Sequence, residues 1–567
     1  MLIEASNNRK INIYMPTLEW IGKDKVKTHH QDVPYRVLEH QYGFRSDNSE
    51  DKSETNSGNM VIHGDNLEAL KALMPRFEGR IECIYIDPPY NTGNEKWVYN
   101  DNVNHPKIKK WLGEIVGQQG EDLSRHDKWL CMMYPRLVLL HKLLAETGAI
   151  FISIDDNEYS NLKFICDEIF GVRNNLATLI WKTDGNYDNQ AKIKVCHEYI
   201  LVYGKDASVL GLPKGIDPSI PLDSKIFKDE IRNTVVKNGS KNPMSKIKLP
   251  IGFPCAVKNL KISERYDAFP YYYSDAIIEN YRLTKEVVVE SGWASKKILN
   301  SFISAGFQSV MDTKNQKTRF EITATGAIEM VKERDNDSYV ISLLSGLGST
   351  QNMSSLLKKM GLDFDFPKPT ALLEYLINFY AKKDSIILDS FAGSGTTAHS
   401  VLNLNKDGGN RKFILIEMED YADTVTAERV KRVINGYGEG KKAIKGTGGE
   451  FDFYELGDRL FDDENLLNEK IEESKIREYI YYTETRQPLT RERKPDSMYL
   501  LDTTLDTGYY FYYERDQITT LNFDSLNIVI EKADNYVIYA DVCTLPEKYM
   551  TDHNITFKKI PRDIKHF

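Results

Sequence analysis

The sequence predicts an α/β fold: a mostly parallel sheet, interrupted by an inserted domain and followed by a small α+β module. Three observations carry that expectation. Apolar runs such as Ile81–Ile86 and Gly148–Ile154 lack the alternation of a half-exposed strand and suit parallel strands buried on both faces. Segments with helical spacing separate these runs. The alternation of strand and helix lapses between residues 205 and 365, then resumes.

Taken in order, residues 1–44 have no clear periodicity, and the polar stretch 45–59 reads as a flexible loop, so 1–59 forms an N-terminal extension. Residues 60–204 are the first half of the α/β domain. Strands are expected at 60–65, 81–86, 148–154 and 197–203, with helices over 66–73, 128–144 and 157–170. Residues 205–365 are richer in Lys, Asn, Pro and Tyr and read as the insertion. Within it, the tyrosines 271–273 are expected in a core or sheet. The second half, 366–440, offers a helix from Thr370 to Tyr380, a strand at 385–389, a helix from Thr396, a strand at 412–417 and a helix over 424–434. Residues 441–567 carry further β-rich runs and form the C-terminal module.

Composition narrows the setting. The chain has 567 residues, 41% hydrophobic and 28% charged, an ordinary globular balance. No apolar run approaches the roughly 20 residues needed to span a bilayer. The N-terminus lacks the basic-then-apolar order of a secretory signal. The six cysteines are dispersed without a CxxC pair, which suggests neither a zinc site nor a disulfide framework and makes a reducing cytoplasm the simplest location. A net charge of −9 argues weakly against nucleic acid, but phosphate contacts need only a local basic surface, and residues 205–265 hold twelve Lys or Arg against six Asp or Glu.

Two strands end in turns suited to holding ligands. Strand 386–389 runs into Phe391-Ala392-Gly393-Ser394-Gly395-Thr396, where glycines let a nucleotide-like ligand approach the backbone beside a helix N-terminus. The following strand ends at Glu417, placed to bond ribose hydroxyls. The loop is not GxGxxG, which favours a ligand without phosphates, such as S-adenosylmethionine; an ordinary tight turn is the alternative.

The other turn is Asp87-Pro88-Pro89-Tyr90. Methylating an exocyclic amine requires acceptors that draw its lone pair out of conjugation. The Asp87 carboxylate supplies one, and the Pro88 carbonyl another, fixed by prolines that hold φ and donate nothing. Tyr90 is suited to stack on an extruded base. No metal is needed for the transfer.

Together these segments resemble the N6-adenine DNA methyltransferases of the beta class, in which DPPY precedes FxGxG and a target-recognition domain lies between. Further blocks match: His63–Leu70, Val98–Asp101, Trp129–Leu144, Gly148–Asp156, Trp181–Gly204 and Phe366–Pro369. Asp rather than Ser before Pro-Pro resembles the adenine enzymes more than the N4-cytosine ones. Within the class, the tail is similar to that of type III restriction-modification modification subunits. The resemblance implies a Rossmann-like S-adenosylmethionine-dependent domain acting on double-stranded DNA, a homodimer and a helicase-nuclease partner subunit. It also implies that Phe391, Gly393, Gly395 and Thr396 line the cofactor pocket, with Lys368 at the cofactor carboxylate, Glu417 at the ribose and Asp65 near the adenine. The alternative for Asp65 is a cap for the helix beginning at Asn66. An orphan adenine enzyme, an N4-cytosine enzyme and a catalytically silent specificity subunit are the rival readings.

Overall fold

The computed structural model describes residues 17–92, 125–183, 192–221, 224, 230–313, 316–333, 338–438, 440 and 443–562. The block at Val98–Asp101 lies outside them. The chain divides into two compact units, Met1–Pro218 with Val340–Phe567, and Ser219–Tyr339.

The larger unit is built on an eleven-stranded sheet. Its strands are β1 (Arg36–Arg45), β2 (Glu50–Asp51), β3 (Met60–His63), β4 (Ile81–Ile86), β5 (Leu144–Ile154), β6 (Asn175–Lys182), β7 (His197–Gly204), β8 (Leu343–Leu344), β9 (Ile386–Asp389), β10 (Lys412–Glu417) and β11 (Glu450–Arg459). The order across the sheet is β2-β1-β11-β3-β10-β9-β4-β5-β7-β6-β8. From β11 to β5 every neighbouring pair is parallel. β4 and β9 therefore lie side by side, although one belongs to the first half of the chain and the other to the second. Ile387 pairs with Cys83 and Leu388 with Ile84.

The central strands are apolar in their interiors because both faces are covered. Ile84 and Ile86 of β4, Ile150 and Ile152 of β5 and Ile414 and Ile416 of β10 point to one side. There they meet helices Asn66–Phe77, Arg125–Leu143 and Tyr159–Phe170. Cys83, Tyr85, Phe151, Ile387, Phe413 and Leu415 point to the other, against helices Thr350–Lys359, Thr370–Asn378, Thr396–Leu404 and Glu428–Asn435. Each fully buried aliphatic side chain contributes about 1.5–3 kcal/mol, so the layers are held mainly by this burial. The first half of the chain thus covers one face and the second half the other.

Four expectations need correction. Strand 197–203 is not parallel: β7 runs antiparallel to both β5 and β6, a direction that the side-chain pattern does not encode. Residues 36–45, expected to be aperiodic, form a long strand whose partial burial near the sheet edge blurs its alternation. The second unit ends at Tyr339 rather than residue 365, because Leu344 joins the large sheet and Leu357, Met360, Leu362 and Phe364 pack on its second face. Nor does the C-terminal module begin at 441, since β11 pairs with β3 and β1 in the large sheet. Beyond β11 come helix Glu473–Thr485 and a four-stranded sheet formed by Leu500–Thr504, Thr507–Phe511, Asn535–Ala540 and Ile555–Lys559.

The unit Ser219–Tyr339 folds as small antiparallel sheets and helix Lys296–Ser304 around Phe253, Tyr272, Phe302 and Phe320. Tyr272 is fully buried, as expected of a core residue. Among the described residues, no helix is long and apolar enough to cross a membrane, and no group of His, Cys, Asp or Glu is arranged to hold a metal ion.

Candidate active site

The strand order reverses between β4 and β9, and in open α/β sheets ligands bind at the carboxyl ends of strands at such a switch point. Both predicted turns are there. One pocket is lined by Tyr85 and Asp87 at the end of β4, by Asp389, Phe391, Gly393, Ser394 and Thr396 at the end of β9, and by Phe364, Phe366, Pro367 and Lys368.

The Asp87 turn is braced from outside. The Trp129 indole N–H donates to the Pro89 carbonyl at 2.7 Å. Asn91 donates to the fully buried carboxylate of Glu158, which also accepts from His126 at 2.6 Å and Asn161 at 2.7 Å. Among the described residues, no donor reaches the carbonyl of Pro88. The turn therefore anchors one proline carbonyl and leaves the other unbonded. Tyr90 is half-buried, and its hydroxyl lies 2.9 Å from both Asp87 and Glu198. Burial, followed by the charges of those two carboxylates, raises its pKa well above the ordinary phenol value.

Lys368 sits between Pro367 and Pro369. Its ammonium is 2.9 and 2.7 Å from the two Asp87 oxygens, 2.9 Å from the Tyr90 hydroxyl and 3.3 Å from Glu198. Burial alone would lower its pKa, but Asp87 and Glu198 overturn that and raise it. The anions within reach of this buried cation are these two carboxylates.

The glycine loop is shaped by its backbone. Gly393 and Gly395 have φ of 52° and 79°, the left-handed region that favours glycine. A Cβ at Gly395 would lie 3.0 Å from the Thr426 carbonyl, and one at Gly393 would lie 3.3 Å from the Phe364 ring. Gly395 also precedes helix Thr396–Leu404. The loop is held from behind. Thr426 donates to the Gly393 carbonyl at 2.6 Å, and the buried Arg429 donates to Ser394 Oγ at 2.7 Å and Thr396 Oγ1 at 2.8 Å. Among the described residues no carboxylate pairs with Arg429, and burial lowers its pKa to about 9.

Glu417 ends β10, where its carboxylate accepts from the backbone N–H of Gly393 at 2.7 Å and of Glu419 at 2.9 Å. Asp389 accepts from Thr397 at 2.5 Å and from the Phe391 N–H at 3.0 Å. Burial raises both carboxyls to about 7. Asp65 lies outside the pocket lining and caps its helix, accepting from Leu67 and Glu68 at 2.9 and 3.2 Å, with Arg136 at 3.3 Å. Of the predicted site residues, Asp87, Lys368, Phe391, Gly393 and Thr396 line the shared pocket, Tyr90 touches it through Asp87 and Lys368, Glu417 supports its wall at Gly393, and Asp65 stands apart from it.

Sequence reasoning missed Glu198, Glu158, Arg429 and the role of Trp129. A signal existed for Arg429: it shares the apolar stripe of its helix with Val433, four residues on, an anomalous place for a charge. Glu198 is the second residue of a strand that begins with His197 and turns apolar only after it, which by itself marks nothing.

Two such turns at one switch point form a candidate ligand site in an α/β domain. The family described as DNA methylase matches residues 81–428, more than half of the 567-residue chain, and the chain belongs to that family. It is 32% identical over 76% of its length to the type III restriction-modification enzyme EcoPI Mod subunit of Escherichia phage P1, covering 66% of that protein. It is 29% identical over 71% of its length to the EcoP15I Mod subunit of Escherichia coli, covering 64%. With the type II methyltransferase M.KpnI of Klebsiella pneumoniae, identity is 31% over 66% of this chain and 84% of that one. The chain thus spans a little under two thirds of the Mod subunits it matches.

Proposed function

We propose that this chain transfers a methyl group from S-adenosylmethionine to the N6 amine of adenine in double-stranded DNA, as the modification subunit of a type III restriction-modification system. The observation that carries this reading is the single pocket joining the Asp87 turn to the glycine loop. S-adenosylmethionine, when bound, supplies an electrophilic methyl group on a positively charged sulfur. The loop suits such a ligand, because its bare glycines form a cradle that a Cβ at Gly393 would narrow against Phe364. Phe391, Gly393, Gly395 and Thr396 are the proposed cradle, with Glu417 at the ribose and Asp65 toward the adenine.

On the acceptor side, the Asp87 carboxylate takes one N–H of the target amine and the Pro88 carbonyl takes the other. This draws the nitrogen lone pair out of the ring. With the cofactor held in the cradle, its methyl group would pass from sulfur to that lone pair, and Asp87 would accept the proton that the nitrogen then gives up. Tyr90 stacks on the base, which must leave the duplex to reach the pocket. Ser219–Tyr339 is the proposed target-recognition domain, a reading supported by the basic excess of residues 205–265. A homodimer, a helicase-nuclease partner and a cytoplasmic location belong to the same proposal.

A stand-alone adenine enzyme is the second reading, favoured by the 84% coverage of M.KpnI. Incubation of the purified protein with plasmid DNA and labelled S-adenosylmethionine, followed by nucleoside mass spectrometry, tests the chemistry. N6-methyladenine is expected; N4-methylcytosine or no incorporation overturns the assignment. Co-purification with a helicase-nuclease encoded beside it separates the two readings.

A further inference from the structure

Lys368 is the feature that methyl transfer leaves unexplained. Its ammonium donates to both carboxylate oxygens of Asp87, the group that must receive the target amine. A charged nitrogen donor already sits where the substrate's nitrogen donor has to bond. Removing the lysine's partner without a replacement would leave a buried cation unpaired, which is strongly unfavourable.

A replacement stands beside it. Glu198, the second residue of β7, lies 3.3 Å from the Lys368 ammonium and 2.9 Å from the Tyr90 hydroxyl. The lysine has three N–H donors, and the acceptors around it are two Asp87 oxygens, the Tyr90 oxygen and Glu198. The Tyr90 hydroxyl has a single proton for two carboxylates, each 2.9 Å away. One ammonium and one hydroxyl proton are therefore shared between Asp87 and Glu198. Neither carboxylate holds them alone.

We infer that Glu198 is a positioning residue of the acceptor site: it draws the Lys368 ammonium and the Tyr90 hydroxyl off Asp87 as the target amine arrives, so that the Asp87 carboxylate meets the amine and the lysine keeps a counter-ion. The inference rests on the methyl-transfer reading above and adds to it a residue that the two turns do not contain. It requires no large motion, since Glu198 already touches both groups. Two carboxylates around one lysine keep the cation charged throughout, in accord with the raised pKa of Lys368.

Glu198→Gln keeps the shape of the side chain and an oxygen for Tyr90 but removes the charge. Its kcat is expected to fall by roughly tenfold or more, with S-adenosylmethionine affinity by calorimetry unchanged. The diagnostic is the same substitution made in a Lys368→Met background. If Glu198 acts by receiving the lysine, its loss costs little once the lysine is gone, so the two changes are far from additive. Glu198→Asp, which keeps the charge, is expected to recover part of the lost rate, and it serves as the folded comparison should the glutamine variant bind cofactor poorly. A wild-type kcat in Glu198→Gln, or an equal loss with and without Lys368, overturns the inference while leaving methyl transfer intact. An inactive wild type sinks both. Activity lost in Asp87→Ala but untouched in Glu198→Gln sinks this inference alone.

Discussion

The turns after β4 and β9 close neighbouring parallel strands yet use opposite parts of the chain. From β4 and its turn, the side chains of Tyr85 and Asp87 line the pocket, and prolines strip the turn of N–H donors. After β9, the backbone itself is the working surface, and side chains such as Thr426, Glu417 and Arg429 hold it from behind. The first design suits a partner that arrives with hydrogen to donate. The second suits one that must be approached closely along its length. The same edge of one sheet can thus serve two ligands of different character, provided the turns differ in what they present.

The largest expected effect breaks the acceptor turn alone. Asp87→Ala should reduce methyl incorporation by about a thousandfold, of the order seen when a key transition-state contact is removed, while cofactor affinity by calorimetry stays within a few-fold. Loss of both together would erase the distinction between the turns. Trp129→Phe, which withdraws the donor from the Pro89 carbonyl, should cost about 1–3 kcal/mol for an unsatisfied buried acceptor. It should appear as a lower kcat in steady-state assays and leave cofactor affinity unchanged. Gly395→Ala probes the other side. A Cβ in the left-handed region costs about 1–2 kcal/mol, and here it also meets the Thr426 carbonyl at 3.0 Å. Weaker cofactor binding and a lower melting temperature are expected; unchanged calorimetry would mean that the loop's geometry is not what the ligand reads.

The smallest effect concerns pH. Burial raises the carboxyls of Asp389 and Glu417 to about 7 in the fold, against about 4 in an unfolded chain. A raised carboxyl favours the folded state while protonated, so this contribution is complete below about pH 4 and is lost as pH rises through 7. The protein should melt lower at pH 8 than at pH 6 on this account, and Asp389→Asn should flatten the slope. Parallel melting curves for variant and wild type at both pH values would refute it.

The sequence made both turns legible because they follow strands that are apolar almost throughout, a signature that needs no partner to be read. Ile81–Ile86, with Glu82 as its one charge, and Ile386–Asp389, with Asp389 at its end, are of that kind. The strand at Arg36–Arg45 was illegible because its burial comes from β11, more than four hundred positions later in the chain. The direction of β7 and the return of the chain at Val340 are decided by pairing. The site divides in the same way. Asp87, Gly393 and Gly395 are marked by local chemistry, while Glu198 matters only because it stands next to Lys368 and Tyr90, and nothing within its own strand records that.

The strand order carries a consequence for how the chain is made. β3 and β4 are close in sequence but not adjacent in the sheet, because β10 and β9 fill the gap between them. A ribosome finishing β4 therefore leaves a slot that stays open through synthesis of the whole Ser219–Tyr339 unit and closes only when residues 386–417 emerge. Until then apolar edges on both sides of the slot are bare, an invitation to chaperones and to mispairing. Truncated forms ending before β9 should accumulate as aggregates, and co-expression of the missing strands as a separate piece should rescue them.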